Sequence, residues 1–310
     1  MARLPTLCRA APGQLPPLRV GARDVAIVRA VWRYRALTTH QLEALFFGQG
    51  RGGKINTRCQ RRLQLLFQHG YLWRDEQPVK LSEGRRPLLY RLDRRGAELL
   101  AAGGEDVDWV PADNDAGALF LEHLLATNDF RVAVTIAARA VGVGVDPWLD
   151  DETLRRRESR QYVQLQGRDG AQSRVAIVPD GYFRLQLAGH ALHFFLELDR
   201  GTVVGRASRW GRRDWRRKVL AYAGYIASGQ FEQRYNARGV RILTVVPSAG
   251  RLAHLKEITE AAGGRRRFWF AVASEVRPET VLAEPIWHIA SQAGVHPLLE
   301  EARATGHEQG

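Results

Sequence analysis

The sequence predicts an α/β (α+β) chain of two domains, on three observations. Apolar residues at helical spacing run from Val25 to Leu66 and then give way to two short strand-like segments. Beyond an acidic stretch carrying Pro111, apolar runs of strand length alternate with helical ones. At 310 residues and 45% hydrophobic content the chain is long for one ordinary domain and sufficient for two cores.

Residues 1–22 hold Pro5, Pro12, Pro16 and Pro17 without periodicity and read as a flexible arm. From Arg23 the positions Val25, Ile27, Val28, Val31 and Trp32 recur at helix spacing, and the run fades near Leu37. Thr38 and Thr39 are capping residues that open a short second helix through Leu42, Leu45 and Phe46. A glycine-rich break at 48–53 precedes a third helix from about Lys54 to His69, stopped by Gly70. Short strands near 71–73 and 88–92 flank a polar loop at 83–86, and Asp93 caps a helix ending near Ala102. Three short helices followed by a two-stranded hairpin is the order of a winged helix-turn-helix, placed at 23–102. Residues 103–117 read as a linker.

The second domain is placed at 118–292. It opens with a helix over about 118–141, followed by a strand near Trp148 and an Arg-rich, variable stretch at 154–174. Strands at 175–187 and 191–199 are joined by a hairpin turn at Ala188, Gly189 and His190. A helix at 213–228, a buried strand at 240–246, a helix at 252–262 and strands at 268–274 and 286–290 complete a mixed sheet flanked by helices. Residues 293–310 form a tail.

The net charge of +13 favours a polyanionic partner, because each cation set against a phosphate releases a counterion. Only Lys54, Lys80, Lys218 and Lys256 are lysines. A GC-rich coding sequence explains arginine in place of lysine, but not an excess of cations over acids. Cys8 and Cys59 are too few for a disulfide framework or a zinc cluster. No apolar N-terminal segment, membrane-length run or interfacial amphipathic helix appears, so a cytoplasmic protein with no membrane partner is expected. No nucleotide-binding loop or Gly-x-Ser-x-Gly elbow supports an ATPase or esterase.

On the third helix Ile55, Cys59, Leu63 and Leu66 share one side, suited to packing. Lys54, Arg58 and Arg61 share another, with Arg62 near the boundary. Asn56, Thr57 and Gln60 add groups that reach base edges near the helix start. That is the layout of a recognition helix in a major groove of double-stranded DNA. Arg85 and Arg86 at the hairpin tip suit phosphate or minor-groove contact. The competing interpretation is a solvated basic face in a protein-interaction domain.

In the second domain the turn at Gly189 brings Asp180 opposite the stretch from Glu197 to Asp199, leaving open which acid shares its face. Clustered carboxylates repel unless a divalent cation compensates. Mg²⁺ or Mn²⁺ held this way polarises a phosphate and activates a bound water. Lys218, on the following helix, is placed to position that water or stabilise transition-state charge, and Glu122 is a candidate outer carboxylate. His123, His190 and His193 match no zinc spacing.

Pro179-Asp180, Glu197 and the surrounding order of elements resemble the PD-(D/E)XK nuclease superfamily. The winged helix joined to Pro179-Asp180-Gly181-Tyr182-Phe183, to Glu197-Leu198-Asp199-Arg200-Gly201-Thr202 and to the helix from Lys218 to Tyr222 resembles the replication-relaxation family more specifically, over most of 23–275. The resemblance implies a protein of plasmids or other mobile elements, associated with replication or DNA relaxation. It implies Asp180 and Glu197 as metal ligands, Asp199 and Lys218 as further site residues, and other replication or mobilisation proteins as partners; a homodimer is a further expectation. One departure stands out: the nuclease pattern wants Glu-x-Lys, and Asp199 occupies the lysine position. Either Lys218 supplies the missing amine from the helix, or catalysis is lost and the chain is a non-catalytic replication or transcription factor on the same scaffold.

Overall fold

The computed structural model describes residues 8–48, 54–77, 86–111, 118–166, 172–200 and 211–300. The chain divides into two compact units, Met1–Val132 and Ala133–Gly310.

The first unit contains helices α1 (Ala22–Tyr34), α2 (Thr39–Phe46), α3 (Thr57–Gln68) and α4 (Arg94–Ala102), with strands β1 (Leu37–Thr38), β2 (Leu72–Asp75) and β3 (Leu89–Leu92). The strands form an antiparallel sheet in the order β1-β3-β2. Ile27, Val28 and Val31 of α1, Leu42 of α2, and Cys59, Leu63 and Leu66 of α3 are fully buried, as their spacing predicts. Thr38 caps α2 reciprocally: its hydroxyl accepts from the Gln41 amide and its own amide donates to the Gln41 side chain. Asp93 accepts from the Arg94 amide at the start of α4. A Cβ at Gly96 would lie 2.2 Å from the Tyr71 carbonyl oxygen, so α4 approaches the entry to β2 at a distance that only glycine permits.

Four expectations for this unit need correction. The sheet has a third strand, β1, whose two residues are too short to show a period. Helix α3 begins at Thr57 rather than near Lys54, because Asn56 caps it by accepting from the Arg58 amide. Residues 8–21 do not form a free arm. Arg9 ion-pairs with Asp93 and donates to the Phe67 carbonyl, while Ala10 N donates to the side chain of buried Gln68, which in turn donates to the Cys8 carbonyl. Finally, helix α5 (Ala118–Ala140) does not belong wholly to the second domain. Leu121, Leu124 and Leu125 join Ala36 and Leu89 in one buried cluster, and buried Asn128 donates to the carbonyls of Tyr34 and Ala36.

The second unit is built on a six-stranded mixed sheet in the order β11-β10-β9-β8-β7-β4. Its strands are β4 (Gly144–Asp150), β7 (Gly181–Leu187), β8 (His190–Leu198), β9 (Arg241–Val246), β10 (Phe268–Val272) and β11 (His288–Ile289). Strands β8, β9 and β10 run parallel; the remaining pairs are antiparallel. Helices α7 (Gly211–Ala227) and α9 (Ala249–Ala261) contribute Val219, Tyr222, Tyr225, Leu252 and Leu255 to a core shared with Phe195, Ile242, Phe268 and Phe270. Phe268, Trp269 and Phe270 are all buried in β10, within the strand expected at 268–274.

Here the single strand expected at 175–187 is two. Strand β6 (Gln172–Ile177) pairs with β5 (Gln161–Gln166) in a separate two-stranded sheet, and β7 starts only at Gly181. Pro179, which has no amide to donate, stands in the break. Strand β5 lies in the stretch read as variable. Short helices α6 (Asp151–Arg155) and α8 (Gln230–Tyr235) complete the unit. The expected tail starts too early, since Leu298 and Leu299 are buried and Leu299 N donates to the Leu282 carbonyl.

Candidate functional site

The hairpin of β7 and β8 turns at Gly189, whose φ of +86° suits glycine. Its register pairs Gly181 with Leu196, which sets Asp180 beside Glu197 and Leu198. Asp180 N donates to the Leu196 carbonyl at 2.9 Å, and the Leu198 amide donates back to Asp180 Oδ2 at 2.7 Å. The carboxylate thus takes the place of a backbone acceptor at the end of the ladder.

Glu197 is 2% exposed. Lys218 Nζ donates to its Oε2 and Tyr222 Oη to its Oε1, each at 2.5 Å. Lys218 and Tyr222 stand four residues apart on α7 and so share one face. Burial pushes the Glu197 carboxyl above its ordinary range; Lys218 opposes that shift and the Asp180 charge adds to it. Tyr222 is raised well above a normal tyrosine, by burial first and then by the Glu197 charge, so it stays a hydrogen-bond donor.

The ambiguity over which acid faces Asp180 resolves toward Glu197. Asp199 continues the ladder to β9 through its amide, which donates to the Val245 carbonyl, and its side chain pairs with Arg251 of α9 at 2.5 Å. Glu122 pairs with Arg86 in the first unit, at 3.8 Å. His193 is bonded to the Tyr182 hydroxyl at 2.8 Å, and His190 is exposed. Tyr222 escaped the sequence reading as a site residue, although its spacing from Lys218 was the available signal.

Among the described residues no group of three or more His, Cys, Asp or Glu side chains could hold a metal ion. The two-carboxylate set nevertheless suits a hard divalent cation that retains several waters. Thr244 adds to the fit: it is registered with Glu197 across β8 and β9, and its fully buried hydroxyl has no hydrogen-bond partner.

In the first unit Lys54, Thr57, Arg58, Gln60 and Arg61 are exposed at and along the start of α3. Asn56 is partly covered, its side chain capping the helix and its amide donating to Glu43. Arg62 faces inward, pairing with buried Asp24 and donating to the Arg19 carbonyl at 2.7 Å. Arg85 and the loop at 201–210 lie outside the described residues.

A helical unit with a three-stranded antiparallel sheet, followed by a unit built on a six-stranded mixed sheet that carries Asp180 and Glu197 at one strand end, defines a mixed α/β protein of two units. The chain belongs to the replication-relaxation family, whose pattern matches residues 28–240. No curated protein matches it. Among solved structures it is similar to restriction endonuclease FokI, at 11% identity and a TM-score of 0.25, covering 82% of this chain and 42% of that one. FokI bound to DNA gives 12% identity, the same TM-score, and coverage of 82% and 43%. The chain spans less than half the length of these structures.

Proposed function

We propose that this protein binds double-stranded DNA through the exposed face of α3 and hydrolyses a phosphodiester at Asp180 and Glu197 with Mg²⁺ or Mn²⁺. The observation that carries this reading is the buried Glu197 carboxylate, held beside Asp180 by an amine and a phenol. The metal, bound by Asp180 and Glu197, would supply Lewis-acid polarisation of the phosphate and a more acidic water. Tyr222 and Lys218 fix both Glu197 oxygens, so the carboxylate needs no reorganisation. The Lys218 ammonium, 39% exposed, offers positive charge toward an approaching phosphate. Arg58 and Arg61 would anchor the duplex backbone, and Thr57 and Gln60 would face the groove. We also propose a role in replication or relaxation of a plasmid or other mobile element, in the cytoplasm and alongside other replication or mobilisation proteins; family membership supports the replication or relaxation part of that reading.

A second reading is favoured by one observation. Both Glu197 oxygens already have partners and Asp199 is tied to Arg251, so the cluster also works as a closed internal ion pair. A non-catalytic DNA-binding factor would use it in that way. Supercoiled plasmid incubated with Mg²⁺ or Mn²⁺ separates the two. Nicking by the native protein that disappears in Glu197→Gln, with DNA binding intact, supports hydrolysis. Tight binding by both proteins with no cutting under either metal supports the scaffold.

A further inference from the structure

At the opposite end of β8 from Glu197, the second unit has a cavity of about 580 Å³ lined by the first residues of that strand, by the segment entering β9, and by the segment entering β10. Four arginines line it, Arg238, Arg241, Arg266 and Arg267, together with Gly239 and His193, and among the described residues no carboxylate does. Strands β8, β9 and β10 are parallel, so all three begin at this end. Six residues of extended chain separate Ala191 from Glu197, about 20 Å at the rise of a strand. The basic cavity and the acid pair are therefore two separate poles of one sheet.

Arg241 is the built element. Its guanidinium stacks over Trp269 at 4.6 Å and lies 5.9 Å from the Phe194 ring, with Nη1 donating to the Leu298 carbonyl at 2.7 Å. Burial lowers its proton affinity, with the Glu300 charge opposing that shift. A desolvated guanidinium of this kind gains from an oxyanion, which it can meet with a planar fork of donors. Arg238 pairs with Glu232 at 3.1 Å, but both side chains are largely exposed. With the Gln292 amide turned so that its oxygen faces Arg266, that oxygen accepts from Nε and Nη2 at 2.8 and 3.0 Å; both Arg266 and Arg267 are exposed. Burial, and then the Arg184 charge, lower the proton affinity of His193, whose Nδ1 lies 2.8 Å from the Tyr182 hydroxyl.

We infer that this cavity is a phosphate-binding site, distinct from the acid pair, that takes a phosphate group of a nucleic-acid strand or a free phosphate. At 20 Å it is too far away to hold the phosphate that lies at Glu197. Its occupant is a separate nucleic-acid segment or a separate ion.

The test uses the full chain with Arg266→Glu/Arg267→Glu, two exposed positions whose change leaves the core intact. Circular dichroism checks that both proteins are folded. Inorganic phosphate is titrated calorimetrically into each. A plain 20-base-pair duplex is then titrated across 50–200 mM salt, with Arg58→Ala/Arg61→Ala present in both proteins to remove the contribution of α3. Phosphate binding weakened at least tenfold by the double variant, with the duplex salt slope unchanged, supports the free-phosphate source. A slope made shallower by about one or two, at roughly 0.9 per phosphate contact, supports the nucleic-acid source. Phosphate affinity and duplex slope both unaffected by the charge reversals overturn the inference.

Discussion

Lys218 and Tyr222, one helical turn apart on α7, each take a different oxygen of the Glu197 carboxylate. Neither contact depends on the other's atoms, so the two can be removed separately. Tyr222→Phe deletes a buried hydrogen bond to a charged acceptor and should cost about 1.5–3 kcal/mol. Lys218→Ala leaves the acid without its cation. Because Lys218 is 39% exposed, the buried-pair cost is reduced by solvent screening to about 1–3 kcal/mol. Urea unfolding of both single variants and the double variant gives these values. Strict additivity would show that the two partners do not act on one carboxylate.

The direction of the Glu197 shift fixes a pH dependence. Its carboxyl is raised above the ordinary 4.5, so between that value and the raised one the folded state holds more protons than the unfolded state. Stability from this group is therefore present at low pH and lost as pH rises through that window. Glu197→Gln removes the titration. The stability of the native protein relative to that variant should fall from pH 5 to pH 7.5, measured by unfolding at each pH. A difference that rises over the same range would place the proton affinity of Glu197 below normal.

The exposed and inward arginines of α3 should behave differently. Arg58→Ala and Arg61→Ala should each weaken duplex binding and flatten its salt slope by about one, leaving stability nearly unchanged. Arg62→Ala strips the partner from Asp24, which is 2% exposed, and should cost about 2 kcal/mol of stability with the slope retained. Fluorescence anisotropy across 50–200 mM salt, paired with thermal melts, checks all three. A flattened slope in Arg62→Ala would mean that this side chain also touches phosphate.

Gly96→Ala should be more damaging than an alanine inside a helix normally is. The new Cβ would meet the Tyr71 carbonyl oxygen at 2.2 Å and Leu92 Cδ1 at 2.8 Å. Backbone cannot yield as a side-chain end can, so a loss of about 2 kcal/mol or more is expected. Differential scanning calorimetry would show it as a lowered Tm. An unchanged Tm would mean that α4 moves away from β2 at little cost.

The first-unit helices were legible because their apolar spacing and caps act locally: Ile27, Val31, Leu63 and Leu66 are buried where the period puts them, and Thr38 and Asp93 cap. The hairpin at Gly189 was legible for the same reason, and it brought Asp180 to Glu197. What escaped depends on distant partners. Nothing near Asp199 announces Arg251, fifty-two residues on, and nothing near Arg62 announces Asp24. The first half of α5 is apolar and suits either core by pattern; the packing of Leu121, Leu124 and Leu125 on Ala36 and Leu89, with Asn128 under the Tyr34 and Ala36 carbonyls, settles its unit. Strand β5 was hidden because Gln161, Gln164 and Gln166 dilute its alternation beside an arginine-rich stretch.

The Asp180 side chain stands in for a backbone carbonyl by accepting the Leu198 amide. Its acid is therefore structural whether or not any chemistry takes place beside it, and a relative without such chemistry would still need aspartate or asparagine there to accept that amide. Glu197 is different, since among the described residues its oxygens are hydrogen-bonded by the side chains of Lys218 and Tyr222. The presence of Asp180 in a relative of this chain is therefore weak testimony to hydrolysis. Under the hydrolytic reading proposed above, the joint survival or joint loss of Glu197, Lys218 and Tyr222 is the more telling character.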